Sequence, residues 1–368
     1  MIESMLSLTA LPNVHPALVH FPIVLAVTGL LVDLVCLAIR RWEWLRSSAA
    51  MLYVLAAVGS VATYFSGRQA AGTVGALTAQ AEAVLADHAD LALLTMLVLI
   101  LAATLRLTGA ILHRRERPSA KLVLAAAIVA MMAANVLVAV TADHGGALVY
   151  GHGVAVMSNT EVASHEETNS TQPLEHDAGD NLSLGDDGSL LWQPSTADGD
   201  SLYNVLQTVQ GASAEVLKPA GSTGDGDAGL RIEVSGATVV TIPGSFGDVM
   251  VTADVDLQDF EGVFGLGHHI QSGGDGVFFT VTSKGQADLI RRNAETDVSM
   301  GQGTYEPTLG LVTLRTSVSG RHLKGLIGDQ MIVHGHGPSG DDGAIGLIFD
   351  GHGAVEIKQI SVEPILDY

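Results

Sequence analysis

Four long apolar stretches constrain the fold of this chain more than any other feature. They cover about Ala17–Ile39, Ala49–Phe65, Leu91–Leu112 and Leu122–Val140. Each approaches the ~20 residues that a helix needs to cross a bilayer, whose hydrocarbon core is ~30 Å thick. The pattern therefore predicts a bundle of four transmembrane helices.

Charge divides the chain into two parts that suit different surroundings. Residues 1–157 carry 9 basic and 8 acidic residues, whereas residues 158–368 carry 9 basic and 31 acidic residues, a net charge of −22. This charge excludes nucleic acid as a partner of the second part, because phosphate binding needs a basic face. We expect a transmembrane domain at 1–157, an acidic linker at 158–200 and a β-sandwich domain at 201–368.

Basic residues between the apolar stretches predict an orientation in the bacterial inner membrane. One basic cluster at 40–46 follows the first stretch, and another at 114–121 separates the third from the fourth. Lys and Arg favour the cytoplasmic side, so both termini and the connection at 66–90 are expected to face the periplasm. Within that connection, residues 70–90 are typical of an amphipathic helix lying at the membrane surface.

Two ionisable residues interrupt the apolar stretches at similar depth. Asp33 and Arg106 each lie about six residues from the cytoplasmic end of a stretch. A lone charge in lipid is costly, so we expect a structural ion pair between the two. A proton or ion path is the alternative, but such a path usually needs a longer chain of polar groups.

Histidines gather at the expected periplasmic end of the bundle. They are His15, His20, His88, His144 and His152. Imidazoles on facing helices of a four-helix bundle can hold a b-type haem or another metal. They can also cap helix ends and bond to main-chain groups, so both interpretations stay open.

The two ends of this region carry a resemblance. The opening His15-Pro16 through His20-Phe21-Pro22-Ile23 and the close His144-Gly145-Gly146 through His152-Gly153-Val154 resemble a bacterial four-helix membrane family known as a domain of unknown function. The resemblance covers about residues 10–157. It implies the four-helix topology with histidines at one end, and no established activity.

The second part of the chain has the two-residue period of β-strands. Short alternating runs recur from Leu230 to Val362, separated by Gly, Asp, Asn and Ser. Many short strands with such turns predict an antiparallel sandwich or barrel. The stretch from Leu314 to Ile357 resembles a concanavalin-like, laminin-G-type jelly roll. The expected fold class is thus a membrane α-helical bundle plus an all-β jelly-roll sandwich.

No enzymatic motif stands out in the sandwich. Asp254-Val-Asp256 lacks the third carboxylate that jelly-roll glycosidases place on one strand, so we expect no hydrolase activity. Sugar binding usually needs exposed aromatic rings, and Trp192 is the one tryptophan of this part.

Metal sites in the sandwich have weaker support. Asp225 and Asp227 suit a calcium loop, although a solvated turn explains them more simply. His268-His269, His334-x-His336 and His352 would form a metal site if they met, but turns and sheet edges also account for them.

The sequence favours a non-enzymatic structural subunit, with no cofactor assigned with certainty. We expect it to brace a larger energy-transducing membrane complex, photosynthetic or respiratory. Its partners would be the lipid bilayer and neighbouring subunits, which the acidic linker would contact through its few apolar residues. The alternatives are a haem b electron-transfer protein and a periplasmic module that binds carbohydrate or another ligand.

Overall fold

A computed structural model shows a chain built from two units. It describes residues 14–39, 42–154, 181–194, 202–211, 213–220, 229–293, 296–307, 310–338 and 340–366. One unit contains residues 1–74 and 87–156, and the other contains residues 75–86 and 157–368. The predicted fold class, four long apolar helices plus an antiparallel β-sandwich, is confirmed.

Helices make up the first unit. Their bounds are α1 His15–Leu18, α2 His20–Ala38, α3 Glu43–Ala71, α4 Ala79–Arg114 and α5 Ala120–Gly146, followed by a π-helical turn at Ala147–Gly151. Four helical segments in the described part of the chain are long and apolar enough to cross a membrane, with α1 and α2 forming one of them. The predicted spans are therefore helical.

Small residues make up much of the bundle core, and many of the large apolar residues lie on its outside. Ala26, Ala56, Ala102 and Ala134 are buried in its core, whereas Leu122 is 75% exposed. This distribution is the reverse of a water-soluble bundle. It suits helices that pack closely through small side chains while lipid covers their larger ones.

Asp33 and Arg106 meet inside the bundle. Arg106 donates from Nε and Nη2 to the Asp33 carboxylate at 2.8–3.1 Å, and Nη2 also donates to the main-chain oxygen of Arg46 at 3.0 Å. Both side chains are 5% exposed. The bidentate geometry compensates each charge where water does not reach it.

We expect the substitution Asp33→Asn to destabilise the bundle by roughly 3 kcal/mol, because it leaves the Arg106 charge buried without its partner. The double variant Asp33→Asn with Arg106→Leu should recover much of this loss. Unfolding of the detergent-solubilised full chain measures both effects. Asp143→Asn, which changes an exposed carboxylate of α5, is the control and should have little effect. Additive losses in the double variant would contradict the coupling.

Strands make up most of the second unit, which we call the β domain. The bounds are β1 Leu182–Leu184, β2 Leu190–Trp192, β3 Gln207–Gln210, β4 Leu217–Ala220, β5 Leu230–Phe246, β6 Val249–Asp256, β7 Phe260–Ile270, β8 Gly276–Thr282, β9 Gln286–Asn293, β10 Thr296–Thr304, β11 Leu311–Ser319, β12 His322–Ile327, β13 Gln330–His336 and β14 Gly343–Pro364. Two short helices, α6 Leu202–Val205 and α7 Ser213–Val216, lie between the early strands.

All pairings between these strands are antiparallel. The main order is β10-β9-β8-β7-β14-β6-β11-β12-β13, and β5 pairs with β14, β3 and β4. The strand β14 pairs with β7 over its first half and with β6 over its second half, so it runs through both parts of the sheet. Side chains from most of these strands form the main apolar core, and Val239, Ile270, Phe278 and Ile348 form a second, smaller cluster.

Part of the expected acidic linker belongs to this core. The strand β2 pairs with the end of β14, where Trp192 lies opposite Ile360. The Trp192 side chain is 1% exposed. The sandwich therefore begins before residue 201. The apolar residues Leu190 and Trp192 cover their own domain, because burial in this core removes more apolar surface than an extended linker would.

The connection at 75–86 also departs from expectation. Residues 79–90 are the first turns of the 36-residue helix α4 and form no separate surface helix. Within the second unit, Ala79 and Ala83 pack with Met250 and Ile365. Part of the segment that was predicted to lie at the membrane surface thus packs against the β domain.

Candidate functional site

Three histidines meet on one face of the hairpin formed by β12 and β13. The hairpin turns at Gly328 and Asp329, where Gly328 has a φ of 56°. A positive φ at the first of two turn residues is what a type II′ hairpin requires, and glycine adopts it without steric cost. The turn joins the strands that carry His322 on one side and His334 and His336 on the other.

A β-bulge sets which side chains share this face. His322 pairs with His336 and Lys324 pairs with His334, but the register shifts between Gly325 and Leu326 so that Ile332 has no opposite residue. If the same sequence paired in a regular register from the turn, His322 would lie opposite Gly335 and would face the other side of the sheet from His334 and His336, because successive side chains alternate. The bulge therefore creates the cluster.

The distances within the cluster suit a metal ion. One ring nitrogen of each histidine lies within 4.8 Å of the other two, and Nδ1 of His322 is 3.4 Å from Nε2 of His334. Nitrogens bound to one zinc ion at 2.0–2.1 Å in tetrahedral geometry lie roughly 3.4 Å apart. Small side-chain rotations would thus bring all three imidazoles onto one ion.

The surroundings of the cluster leave one side accessible. His322 is buried, whereas His334 and His336 are exposed. On the opposite face of the hairpin, Leu323 and Val333 belong to the apolar core and hold the backbone in place. Three protein ligands with an open side are typical of zinc sites that also bind water or a small ligand.

Only part of this cluster was foreseen from the sequence. The sequence groups His334 and His336 with His268, His269 and His352 as one metal-site hypothesis, with turns and sheet edges as the simpler explanation. The structure instead adds His322, for which the sequence gives no sufficient signal. Counting residues outward from Gly328 and Asp329 would place His322 opposite Gly335, on the wrong face, because the bulge is not visible in the sequence.

His268 and His269 form a separate buried pair. Their Nδ1 atoms are 2.8 Å apart, and His269 has a φ of 56°, which is strained for a residue other than glycine. Burial lowers the pKa of the His268 imidazole to about 3, with smaller contributions from His269 and Arg291. At neutral pH this imidazole is therefore uncharged.

We expect the β domain to lose stability as the pH falls from 6.5 towards 3. In this range the unfolded chain binds a proton at His268 that the folded chain excludes, so the free energy of unfolding falls by roughly 1.4 kcal/mol per pH unit. The variant His268→Leu should show a shallower decrease between pH 6.5 and 5. Urea unfolding of the full chain, followed by Trp192 fluorescence in a Trp42→Phe, Trp44→Phe background with a metal chelator present, measures the slope.

The control for this experiment is His352→Gln. His352 is exposed, with Nε2 3.4 Å from the Glu261 carboxylate, so its loss should leave the slope nearly unchanged. Equal slopes in His268→Leu and in the parent protein would show that His268 titrates normally.

The bundle histidines are held by main-chain groups. Nδ1 of His15 lies 3.1 Å from the Thr63 oxygen, and Nδ1 of His88 lies 3.0 Å from the Thr141 oxygen. His144 bonds within its own helix, to the Val140 oxygen at 3.0 Å. These bonds fix the orientations of the imidazole rings. Histidines that bind metals have such bonds, and so do histidines that only cap helix ends.

Three of the bundle histidines lie near one another. His15 and His144 both lie close enough to His88 to act on its charge. Each of two rings also packs on a glycine: a Cβ at Gly67 would lie 2.9 Å from His15, and one at Gly145 would lie 3.2 Å from His88. His20 begins α2, and His152 follows the π-helical turn at Ala147–Gly151. The haem interpretation stays a prediction.

The remaining candidates lie apart from the histidine cluster. The calcium candidates Asp225 and Asp227 fall outside the described residues. A cavity of about 570 Å³ is lined by side chains that include Asp275, Arg292 and Asp350. The one aromatic residue among its described lining is Phe349, which is fully buried. The cavity thus lacks the exposed ring on which a sugar usually stacks.

Comparisons with known proteins give separate matches for the two parts of the chain. Residues 11–158 match the family described as "Predicted membrane protein (DUF2231)". The match covers less than half of the chain and confirms the resemblance of the N-terminal part to a membrane family of unknown function. No protein of curated function matches the chain.

The β domain is similar to several solved structures with sandwich folds. The carbohydrate-binding module CBM66 from Bacillus subtilis is 16% identical, with a TM-score of 0.35 and coverage of 42% of this chain and 94% of that one. A galectin-like protein of unknown function from the same organism is 12% identical, with a TM-score of 0.35 and coverage of 44% and 90%. A galectin from Caenorhabditis elegans is 12% identical, with a TM-score of 0.28 and coverage of 36% and 93%.

Proposed function

We propose that this membrane protein binds a divalent transition-metal ion on its β domain. The observation that carries the proposal is the convergence of His322, His334 and His336, with one nitrogen of each within 4.8 Å of the others. The metal would be held by three neutral imidazoles, with its remaining position open to water or a small ligand.

The chemistry of the donor set narrows the choice of metal. Imidazole nitrogen suits Zn²⁺, Cu²⁺ and Ni²⁺, whereas Ca²⁺ and Mg²⁺ prefer oxygen ligands. Among the suitable ions Cu²⁺ is expected to bind most tightly and Zn²⁺ somewhat less tightly, following the usual order of affinities. Availability would then decide which ion is bound in the cell.

The electrostatics of the β domain support binding of a cation. Residues 158–368 have a net charge of −22, and a field of this sign raises the local concentration of cations and speeds their association. In this proposal the β domain faces the periplasm, as the basic clusters at 40–46 and 114–121 predict.

We expect the full chain, purified in detergent and stripped with a chelator, to bind one Zn²⁺ ion by isothermal titration. The variant His336→Gln should bind it about tenfold more weakly or worse, because the loss of a group that only orients a metal ligand already costs ~10–100-fold. Acidification below the ordinary range of imidazole titration should also weaken binding, since the ligands must be neutral.

The matched control is His352→Gln, which removes an exposed histidine elsewhere in the same domain. Its affinity for Zn²⁺ should equal that of the parent protein. If His336→Gln and His352→Gln bind Zn²⁺ equally well, the metal does not use the cluster and the proposal fails.

The bracing of a larger membrane complex stays a prediction. One of its supports was the apolar content of the acidic segment 158–200, which was expected to lie along a partner. Leu190 and Trp192 are buried in the core of the β domain itself, so these two side chains are not available to cover another subunit.

A further inference from the structure

A buried ion pair adjoins the histidine cluster. Lys324 lies two residues after His322 on β12 and directly opposite His334 on β13. Its ammonium group contacts the carboxylate of Glu82. The Lys324 side chain is 11% exposed and that of Glu82 is 4% exposed. The two residues are 242 positions apart in the chain.

The position of Lys324 sets its effect on a bound cation. Side chains two residues apart on a strand share a face, and residues directly opposite on neighbouring strands have Cβ atoms ~4.5–5.5 Å apart. Lys324 therefore lies on the same face as His322, His334 and His336. A positive charge held there repels a divalent cation, and the shielding from solvent strengthens that repulsion.

Glu82 offsets this repulsion. Its carboxylate neutralises the Lys324 ammonium, so the face presents no net positive charge beside the histidines. The carboxylate is held in place because Ala79 and Ala83, on either side of it in the chain, pack with Met250 and Ile365 in the same unit. The charge compensation therefore depends on the packing of residues 75–86 against the β domain.

We propose that Glu82 regulates the metal site: the packed segment 75–86 raises metal affinity by neutralising Lys324, and the bound metal in turn stabilises the packing of that segment. This inference rests on the metal-binding function proposed above. Both effects arise from one coupling free energy between the metal site and segment 75–86, so they are equal in size. Because residues 79–86 are the first turns of α4, metal binding would act on the N-terminal end of a helix that is long and apolar enough to cross the membrane.

The first test is Zn²⁺ titration of the full chain with substitutions at the pair. Glu82→Gln should weaken binding about fivefold or more, the lower end of couplings between linked sites. Lys324→Met should not weaken binding, and the double variant should return to within about threefold of the parent affinity. A double variant as weak as Glu82→Gln alone would indicate lost structure and would overturn the electrostatic argument.

The matched control is Glu356→Gln, which breaks a second Glu–Lys pair, between Glu356 and Lys358 on β14. It should leave the affinity for Zn²⁺ unchanged. Equal affinities of Glu82→Gln, Glu356→Gln and the parent protein would overturn the regulation while leaving the metal site intact. Absence of Zn²⁺ binding in the parent protein would instead refute the metal-binding function itself.

A second measurement uses the parent protein and does not require the pair to be altered. Hydrogen–deuterium exchange at 75–86 should slow when Zn²⁺ is added to the full chain, and it should not slow in His336→Gln. Unchanged exchange in a parent protein that demonstrably binds Zn²⁺ would overturn the proposed coupling.

Discussion

Main-chain polar groups shielded from water must find partners inside the protein, and this constraint shapes both units. In the apolar stretches the α-helix provides those partners within each segment. In the β domain they come from neighbouring strands, and β14 has paired strands along both edges, with β5 and β2 on one side and β7 and β6 on the other. Four strands therefore pair directly with this 22-residue strand, which connects the two parts of the sheet.

Buried charges, like buried main-chain groups, need partners inside the protein. Both units contain a buried ion pair, in different surroundings. Asp33 and Arg106 neutralise each other inside the bundle, where an isolated charge would be costly. Lys324 and Glu82 do so in the β domain, beside three histidines. The first pair joins two apolar helices, α2 and α4. In the second pair, Lys324 lies on the same face of the hairpin as the histidine cluster.

The candidate function thus lies in the β domain and depends on features that a sandwich fold does not itself specify. Sandwiches host many unrelated activities, and the site decides among them. Here the candidate site consists of three imidazole groups on one hairpin. The other face of this hairpin is fixed by the apolar core through Leu323 and Val333. A hairpin held in this way keeps its ligands close together before the metal arrives, which reduces the cost of ordering them.

The sequence by itself determined the four membrane helices and the antiparallel β class, because each follows from a hydrophobic period within a segment. It also predicted the Asp33–Arg106 pair, because the two charges lie at similar depth in two apolar stretches. It did not determine features that depend on distant pairing. The sequence predicts short strands, yet β5 has 17 residues and β14 has 22, because the pairing of these two strands continues across the glycines within them. Trp192 enters the core through its pairing with β14, and Glu82 reaches Lys324 across 242 residues. The histidine cluster depends on one bulged residue, Ile332, since a shift of a single position moves every side chain to the other face.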